Sequence, residues 1–427
     1  MTNLANALLD RAAKSGDRPG LILDQLTLTF GQLGGLTRMA AGRLQAAGIE
    51  PGDRVALILP NIPAYPVLFN AVLAAGGVVV PLNPLLKHFE LEYYFADSGA
   101  KIAFVWKDFA PEAELAAETT GTNVVVCGPL GPDDPGPEAP ALAEAVARDD
   151  DDLAVILYTS GTTGKPKGAM LTHRNLYENA RMSANDIIHI SDSDVVMGCL
   201  PLFHVFGLTC GLNAAVIAGA ALTLVPRFDP AKALEVIERD KVTIFEGVPT
   251  MYAALLQHPA GETTDTSSLR TCVSGGSAMP VEIMRAFEEK FGCAILEGYG
   301  LSETSPVAAF NMLHLERKPG TIGVCVPGCE MRLVDLDGKD TPPGEVGEIA
   351  IRGTYLMKGY WNKPEATKEA IPDGWFRTGD LATLDDEGYY TIVDRKKDMI
   401  IRGGLNVYPR EVEEVLYEHP DVVEAAV

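Results

Sequence analysis

Residues Tyr158 to Gly168 read YTSGTTGKPKG and gather five hydroxyls, three glycines and two lysines into one short loop. Backbone N–H groups of a glycine-rich turn, Ser/Thr hydroxyls and lysines converge best on phosphate oxygens, because each donor binds more strongly when its acceptor is charged. A Walker-type loop requires Gly-x-x-x-x-Gly-Lys-Ser/Thr, whereas here Thr159 stands at the first glycine position and Pro166 follows Lys165. The stretch is therefore read as an anion site of another kind. It is expected to follow a buried strand and to precede a helix starting near Leu171, a setting in which helix N-termini hold anions.

The rest of the chain must position that loop. At 427 residues, two or more domains or subdomains are expected. The formal charge of -23, from 58 acidic and 35 basic residues, speaks against a nucleic-acid surface, which needs a basic stripe. An anionic ligand must then be met locally. Cys127, Cys199, Cys210, Cys272, Cys293, Cys325 and Cys329 are scattered without framework spacing and read as buried free thiols of a reducing cytosol. No second Cys/His pair accompanies Cys325 and Cys329, so zinc is not expected. The N-terminus, MTNLANALLDRAAKSGDR, lacks the apolar core of a signal peptide. The longest apolar stretch, Cys210 to Val225, is too short and too glycine-rich for an integral membrane segment.

Short β-branched runs such as VALIL (55–59), VVVPL (78–82), IAFVW (102–106) and NVVVC (123–127) alternate with helical patterns such as 64–77. The rhythm predicts an α/β fold with a largely parallel sheet. An exposed Pro/Gly connector at 129–140 leads to the strand LAVILYT, and a second cycle follows through VVMGCLPL, ALTLVP, VTIFEGVP and LRTCVSGGS. After about Pro319 the texture becomes short strands with turn signals, expected to form a small β-barrel-like unit, and an amphipathic helix starts near Pro409. The expected divisions are an α/β subdomain at 1–170, a second at 171–318, the barrel-like unit at 319–394, and a hinge with the start of an incomplete α+β C-terminal domain at 395–427.

Taken with PLFHVFG (201–207), SGGSAMP (274–280), EGYGLSET (297–304), GWFRTGD (374–380) and DRKKDMIIRGGLNVYP (394–409), the loop resembles the signature of the adenylate-forming superfamily. That superfamily comprises acyl- and aryl-CoA synthetases, luciferases and adenylation domains. Six motifs in the family's order, from about Ala154 onward, are far more specific than any one of them.

The resemblance implies ATP, Mg²⁺ and coenzyme A as ligands of a cytoplasmic enzyme acting on a small carboxylate, and a homodimer is compatible with it. It implies that Thr159, Ser160, Gly161, Thr162, Thr163, Gly164 and the mobile cation Lys167 close on the β- and γ-phosphates. Gly276, Ser277, Ala278, Glu297, Gly298, Tyr299, Gly300 and Ile392 fall on nucleotide-binding positions, with Tyr299 suited to an adenine face. Asp380 matches the ribose ligand and Arg395 its neighbour. Glu303 offers a hard oxygen to Mg²⁺, and Thr304 can contact the α-phosphate. His204, Val205 and Phe206 stand where amino-acid-activating relatives usually place Asp, which disfavours an amino acid. His204 on its own reads equally well as a packed core histidine. Relatives acting on malonate place Arg where Gly298 stands, so a second carboxylate would have no counter-ion here. The remaining acyl wall, 245–249 with Val248, then Gly275, Gly276, Leu301, Pro306 and Val307, is small or apolar apart from Glu246. A medium- or long-chain fatty acid is the implied substrate.

In the family a small C-terminal domain supplies a lysine for adenylation, then swings to present another face to CoA. Lys397 matches the hinge, and Gly403 and Gly404 match the CoA-side loop. The Gly-Lys motif carrying the adenylation lysine would lie beyond Val427, and Ile401 replaces a further lysine, so the chain is expected to bind nucleotide and acyl-adenylate but to turn over poorly. An aryl- or cinnamate-type CoA ligase, a luciferase-like monooxygenase and a catalytically impaired nucleotide-binding member of the fold remain alternatives.

Overall fold

The computed structural model describes residues 3–427 except 135, 160–164, 336, 343, 399, 403–404, 418–421 and 423–424. Each β-branched run becomes a strand, since stiff branched side chains pack well on a pleated surface buried on both faces. Arg54–Ile58, Val78–Pro81, Ala100–Trp106 and Asn123–Gly128 enter a seven-stranded sheet, parallel through its middle, whose last two strands are Leu153–Thr159 and Lys167–Thr172. A nine-stranded sheet carries Val195–Gly198, Ala221–Leu224, Ile244–Gly247, Thr271–Ser274 and Ile295–Gly300. Its far edge is the hairpin Pro19–Leu23 and Leu26–Thr29, pairing parallel to Ala221–Leu224. The expected 1–170 unit therefore does not coincide with one sheet: its first hairpin belongs to the second.

Between the sheets lies the helix Ala64–Ala74, in which every residue is buried. Asn61, just before it, donates to the carbonyls of Gly198 at 2.9 Å and Leu200 at 2.8 Å and accepts from the Leu202 N–H at 3.0 Å. The Tyr65 hydroxyl donates to the Leu202 carbonyl at 2.8 Å. These buried bonds fix the segment entering PLFHVFG. Asn61→Ala leaves the Leu200 carbonyl and the Leu202 N–H unpaired, while the Gly198 carbonyl keeps the Val225 N–H, and the expected loss is about 2 kcal/mol of unfolding free energy, read from urea denaturation. A loss within 0.5 kcal/mol, roughly the surface-mutation range, would show that water replaces Asn61.

The region expected to be barrel-like holds an antiparallel four-stranded meander, Cys329–Val334, Gly347–Gly353, Phe376–Leu384 and Tyr390–Arg395. The helix expected near Pro409 is Pro409–Tyr417. All seven cysteines are free, five of them buried. Among the described residues no helix is long and apolar enough to cross a membrane.

Candidate active site

The helix expected near Leu171 begins at His173, and an unexpected strand lies between it and the opening loop. Lys167–Thr172 is a strand antiparallel to Leu153–Thr159, with Thr159 directly opposite Lys167. At the helix start the Thr172 hydroxyl accepts from the Asn175 N–H and the Asn175 side chain accepts from the Thr172 N–H. Ser160, Gly161, Thr162, Thr163 and Gly164, and likewise Gly403 and Gly404, lie outside the described residues.

The paired ends of these two strands meet the turn Ser302–Thr304, which follows the strand Ile295–Gly300. Glu303 is 7% exposed, and its Oε1 accepts from the Thr159 hydroxyl at 3.2 Å and from the Tyr360 hydroxyl at 2.9 Å. The Lys167 ammonium sits 5.3 Å from the centre of the Tyr360 ring. Tyr360 thus holds the carboxylate with its hydroxyl and the cation with its face. No charge or motif cue singled it out; it arrives because its backbone bridges to Ala169. With Oε1 engaged, Glu303 can offer Oε2 to a cation. One buried carboxylate beside phosphate-binding groups suits Mg²⁺, which takes most of its oxygens from water and substrate phosphate.

Asn179 steadies the same turn, donating to the Val307 carbonyl at 2.9 Å and accepting from the Val307 N–H at 3.3 Å. Thr304, expected at the α-phosphate, is 1% exposed and does not line the cavity. Its hydroxyl accepts from the Leu301 N–H at 2.9 Å and donates to the Pro306 carbonyl, locking the turn instead.

On the nucleotide side, the Tyr299 hydroxyl donates to Asp380 Oδ2 at 2.5 Å and Arg395 Nε to Oδ1 at 3.1 Å. Asp380 and Arg395 are register partners in adjacent strands. Burial lifts the Asp380 carboxyl above its ordinary range, opposed by Tyr299 and Arg395. The Lys396 ammonium and the Gly379 N–H both bind Glu348, at 3.0 Å each, pinning the turn that carries Lys397.

Tyr299, Arg395, Lys396, Gly379 and Glu348 border a cavity of about 880 Å³, whereas Asp380, expected at the ribose, is buried and stands behind Tyr299 and Arg395 rather than in the lining. Of the expected residues, Thr159, Lys167, Gly276, Gly298, Tyr299, Gly300, Glu303, Arg395 and Lys397 line it, as do His204, Val205, Phe206, Gly275, Leu301, Pro306 and Val307. Ser277, Ala278, Glu297, Val248 and Ile392 do not: Glu297 accepts from the Gly320 N–H at 3.1 Å, and Val248 stands behind Gly276. Phe245, expected in the acyl wall, points to the sheet's other face and packs on Tyr252, because alternate strand residues face opposite ways. His204 touches the cavity solvent while protein hems in its ring, which lowers its pKa and keeps the imidazole neutral.

Gly298 has a reason beyond the absent counter-ion. A Cβ there would lie 2.4 Å and 2.6 Å from the ring of Phe310, its register partner. Gly298→Ala is expected to destabilise by about 2 kcal/mol, and trimming the ring in a Gly298→Ala/Phe310→Leu double variant to recover part of that, measured by urea denaturation. Additive losses would contradict the clash.

Glu246 is 1% exposed, and desolvation pushes its carboxyl up to about 8. The titratable neighbours Cys199 and Cys210 are also raised by burial, Cys199 to about 12. Glu246 therefore stays protonated in the fold while the unfolded chain ionises near the ordinary 4.5. Its contribution to stability is full below about pH 4.5 and is lost as pH rises toward 8. Relative to Glu246→Gln, the wild type should lose on the order of a few kcal/mol between about pH 5 and 8, followed by urea midpoints. Parallel pH profiles would contradict the assignment.

A match to the AMP-binding enzyme family spans residues 8–361. The chain belongs to this family of adenylate-forming enzymes and is by class an AMP-forming acid–thiol ligase. It is 38% identical over 459 residues to the long-chain-fatty-acid–CoA ligase of Bacillus subtilis strain 168, covering 99% of this chain and 82% of that one. A feruloyl-CoA synthase of Amycolatopsis sp is 41% identical over 403 residues, covering 94% of this chain and 80% of that one. Among solved structures, ATP-bound MatB from Rhodopseudomonas palustris shares the fold with a TM-score of 0.92 at 36% identity, covering 100% of this chain and 85% of that chain.

Proposed function

We propose that this enzyme joins a medium- or long-chain fatty acid, or a similar apolar monocarboxylate, to coenzyme A through an acyl-adenylate. The carboxylate attacks the α-phosphorus of ATP with loss of pyrophosphate, and the CoA thiolate then attacks the acyl carbonyl with loss of AMP. Ionised at neutral pH, the carboxylate needs no general base, only positioning and charge neutralisation. Lys167 meets the phosphates while the Thr159 hydroxyl holds Glu303; Asp380, braced by Tyr299 and Arg395, takes the ribose; Lys397 is the hinge. Mg²⁺ held at Glu303 would neutralise phosphate charge. The free thiols suit a reducing cytoplasm. The observation that carries the reading is the buried Glu303, held by Thr159 and Tyr360, beside a cavity walled by Val205, Phe206, Leu301, Val307 and Phe310.

A second reading, an aromatic acid of the cinnamate type, draws support from the 41% identity to a feruloyl-CoA synthase. Calorimetry with non-hydrolysable acyl-adenylate analogues of rising chain length, plus one aromatic member, separates the two. Each buried methylene adds about 0.8 kcal/mol, so four add about a hundredfold in affinity before a plateau. Preference for the aromatic analogue would reassign the substrate, and no binding by any member would overturn adenylate formation.

A further inference from the structure

Glu246 is the buried acid that the chemistry above leaves unused. It lies on the strand Ile244–Gly247, in register with Val273 of the neighbouring strand, and register partners project from the same face. Val273 lines the cavity, as does Phe206, which leads into the helical segment Gly207–Asn213. Within that segment Gly211 has no side chain, and the point its Cβ would occupy is 3.4 Å from Glu246 Oε2. The carboxyl is thus wedged between strand and helix, one strand beyond Val273 and one helical turn beyond Phe206. Its Oε1 has no hydrogen-bond partner within the protein, and Ser274 Oγ, on the strand that carries Val273, has none either. An unpaired buried carboxyl costs stability, and a partner arriving from outside the chain would offset that cost.

We propose that Glu246, one layer behind the cavity wall formed by Val273 and Phe206, is a specificity contact reached by the far end of the acyl group, selecting acids that carry a hydroxyl remote from the carboxylate. This rests on the adenylate-forming reading and deepens it. Held protonated by burial, the group both donates to and accepts from a neutral hydroxyl. The shared chemistry is a distal hydroxyl, on an aromatic ring or at the end of an alkyl chain.

The test compares matched non-hydrolysable adenylates by calorimetry: 4-hydroxycinnamoyl against cinnamoyl, and ω-hydroxyalkanoyl against alkanoyl of equal length. In the wild type, the hydroxyl member of one pair should bind at least about tenfold more tightly, and which pair responds names the source. Glu246→Leu should abolish that preference while the unsubstituted partner binds within a few-fold of wild type. If Glu246→Leu does not fold, Glu246→Gln decides, since exchanging carboxyl for amide must change the preference by about threefold or more. Equal affinities within both wild-type pairs, or a preference unchanged by the substitution, would overturn the proposal. Failure of the underlying reading looks different: no adenylate, hydroxylated or plain, would bind.

Discussion

Glu303→Gln should lower ATP–pyrophosphate exchange by about 10²- to 10³-fold while the fold persists. The substitution keeps an oxygen for the hydroxyls of Thr159 and Tyr360 but removes the negative charge offered to a cation on the phosphates. Charge aimed at a reacting phosphate in a site of low dielectric is the largest single contribution that one residue makes to such a reaction. Tyr360→Phe is the internal comparison. It keeps the charge and the ring beneath Lys167, loses one hydrogen bond to Glu303, and should cost only about tenfold. Exchange within tenfold of wild type in Glu303→Gln, roughly the effect of one hydrogen bond, would remove Glu303 from the chemistry and leave it as a brace for the turn.

The second large effect is expected at Asp380. Its two oxygens receive Tyr299 and Arg395 and the carboxylate lies behind the cavity lining, so vicinal hydroxyls use its remaining lone-pair directions where the half-exposed Arg395 gives way. Asp380→Asn turns an amide N–H₂ toward one of two existing donors and removes the charge. ATP should bind about 10²-fold more weakly by calorimetry, because hydrogen bonds to a charged acceptor contribute about 1.5–3 kcal/mol each. Inhibition by pyrophosphate, which has no ribose, should stay unchanged. Equal weakening of both ligands would mean that Asp380 holds the third sheet in place rather than the nucleotide.

Much of the fold follows from local pattern: the runs around Val55, Val78, Ile102, Ile244 and Thr271 are strands because β-branched residues suit a sheet buried on both faces. What failed to be legible is non-local. The residues after Lys167 carry no periodicity that separates a short strand from the start of a helix, and cross-strand pairing with Leu153–Thr159 decided it. Nothing in the composition of the hairpin Pro19–Thr29 reveals that its partner is Ala221–Leu224, some two hundred residues on. The motifs located Thr159, Lys167, Glu303, Tyr299 and Asp380, but the groups that hold them, Tyr360, Asn179 and Asn61, are single polar residues whose partners lie far along the chain. Glu246 was visible as the odd residue of an apolar wall, and burial in three dimensions is what gives that oddity chemical meaning.

The central claim is that the carboxylate attacks the α-phosphorus. Incubating the enzyme with ATP and a fatty acid labelled with ¹⁸O in both carboxylate oxygens, then releasing the acyl group with hydroxylamine, leaves the bridging oxygen on one product. Mass spectrometry should find one ¹⁸O in AMP and none in pyrophosphate. Unlabelled AMP, with ¹⁸O in orthophosphate beside ADP, would show attack at the γ-phosphorus and contradict the account.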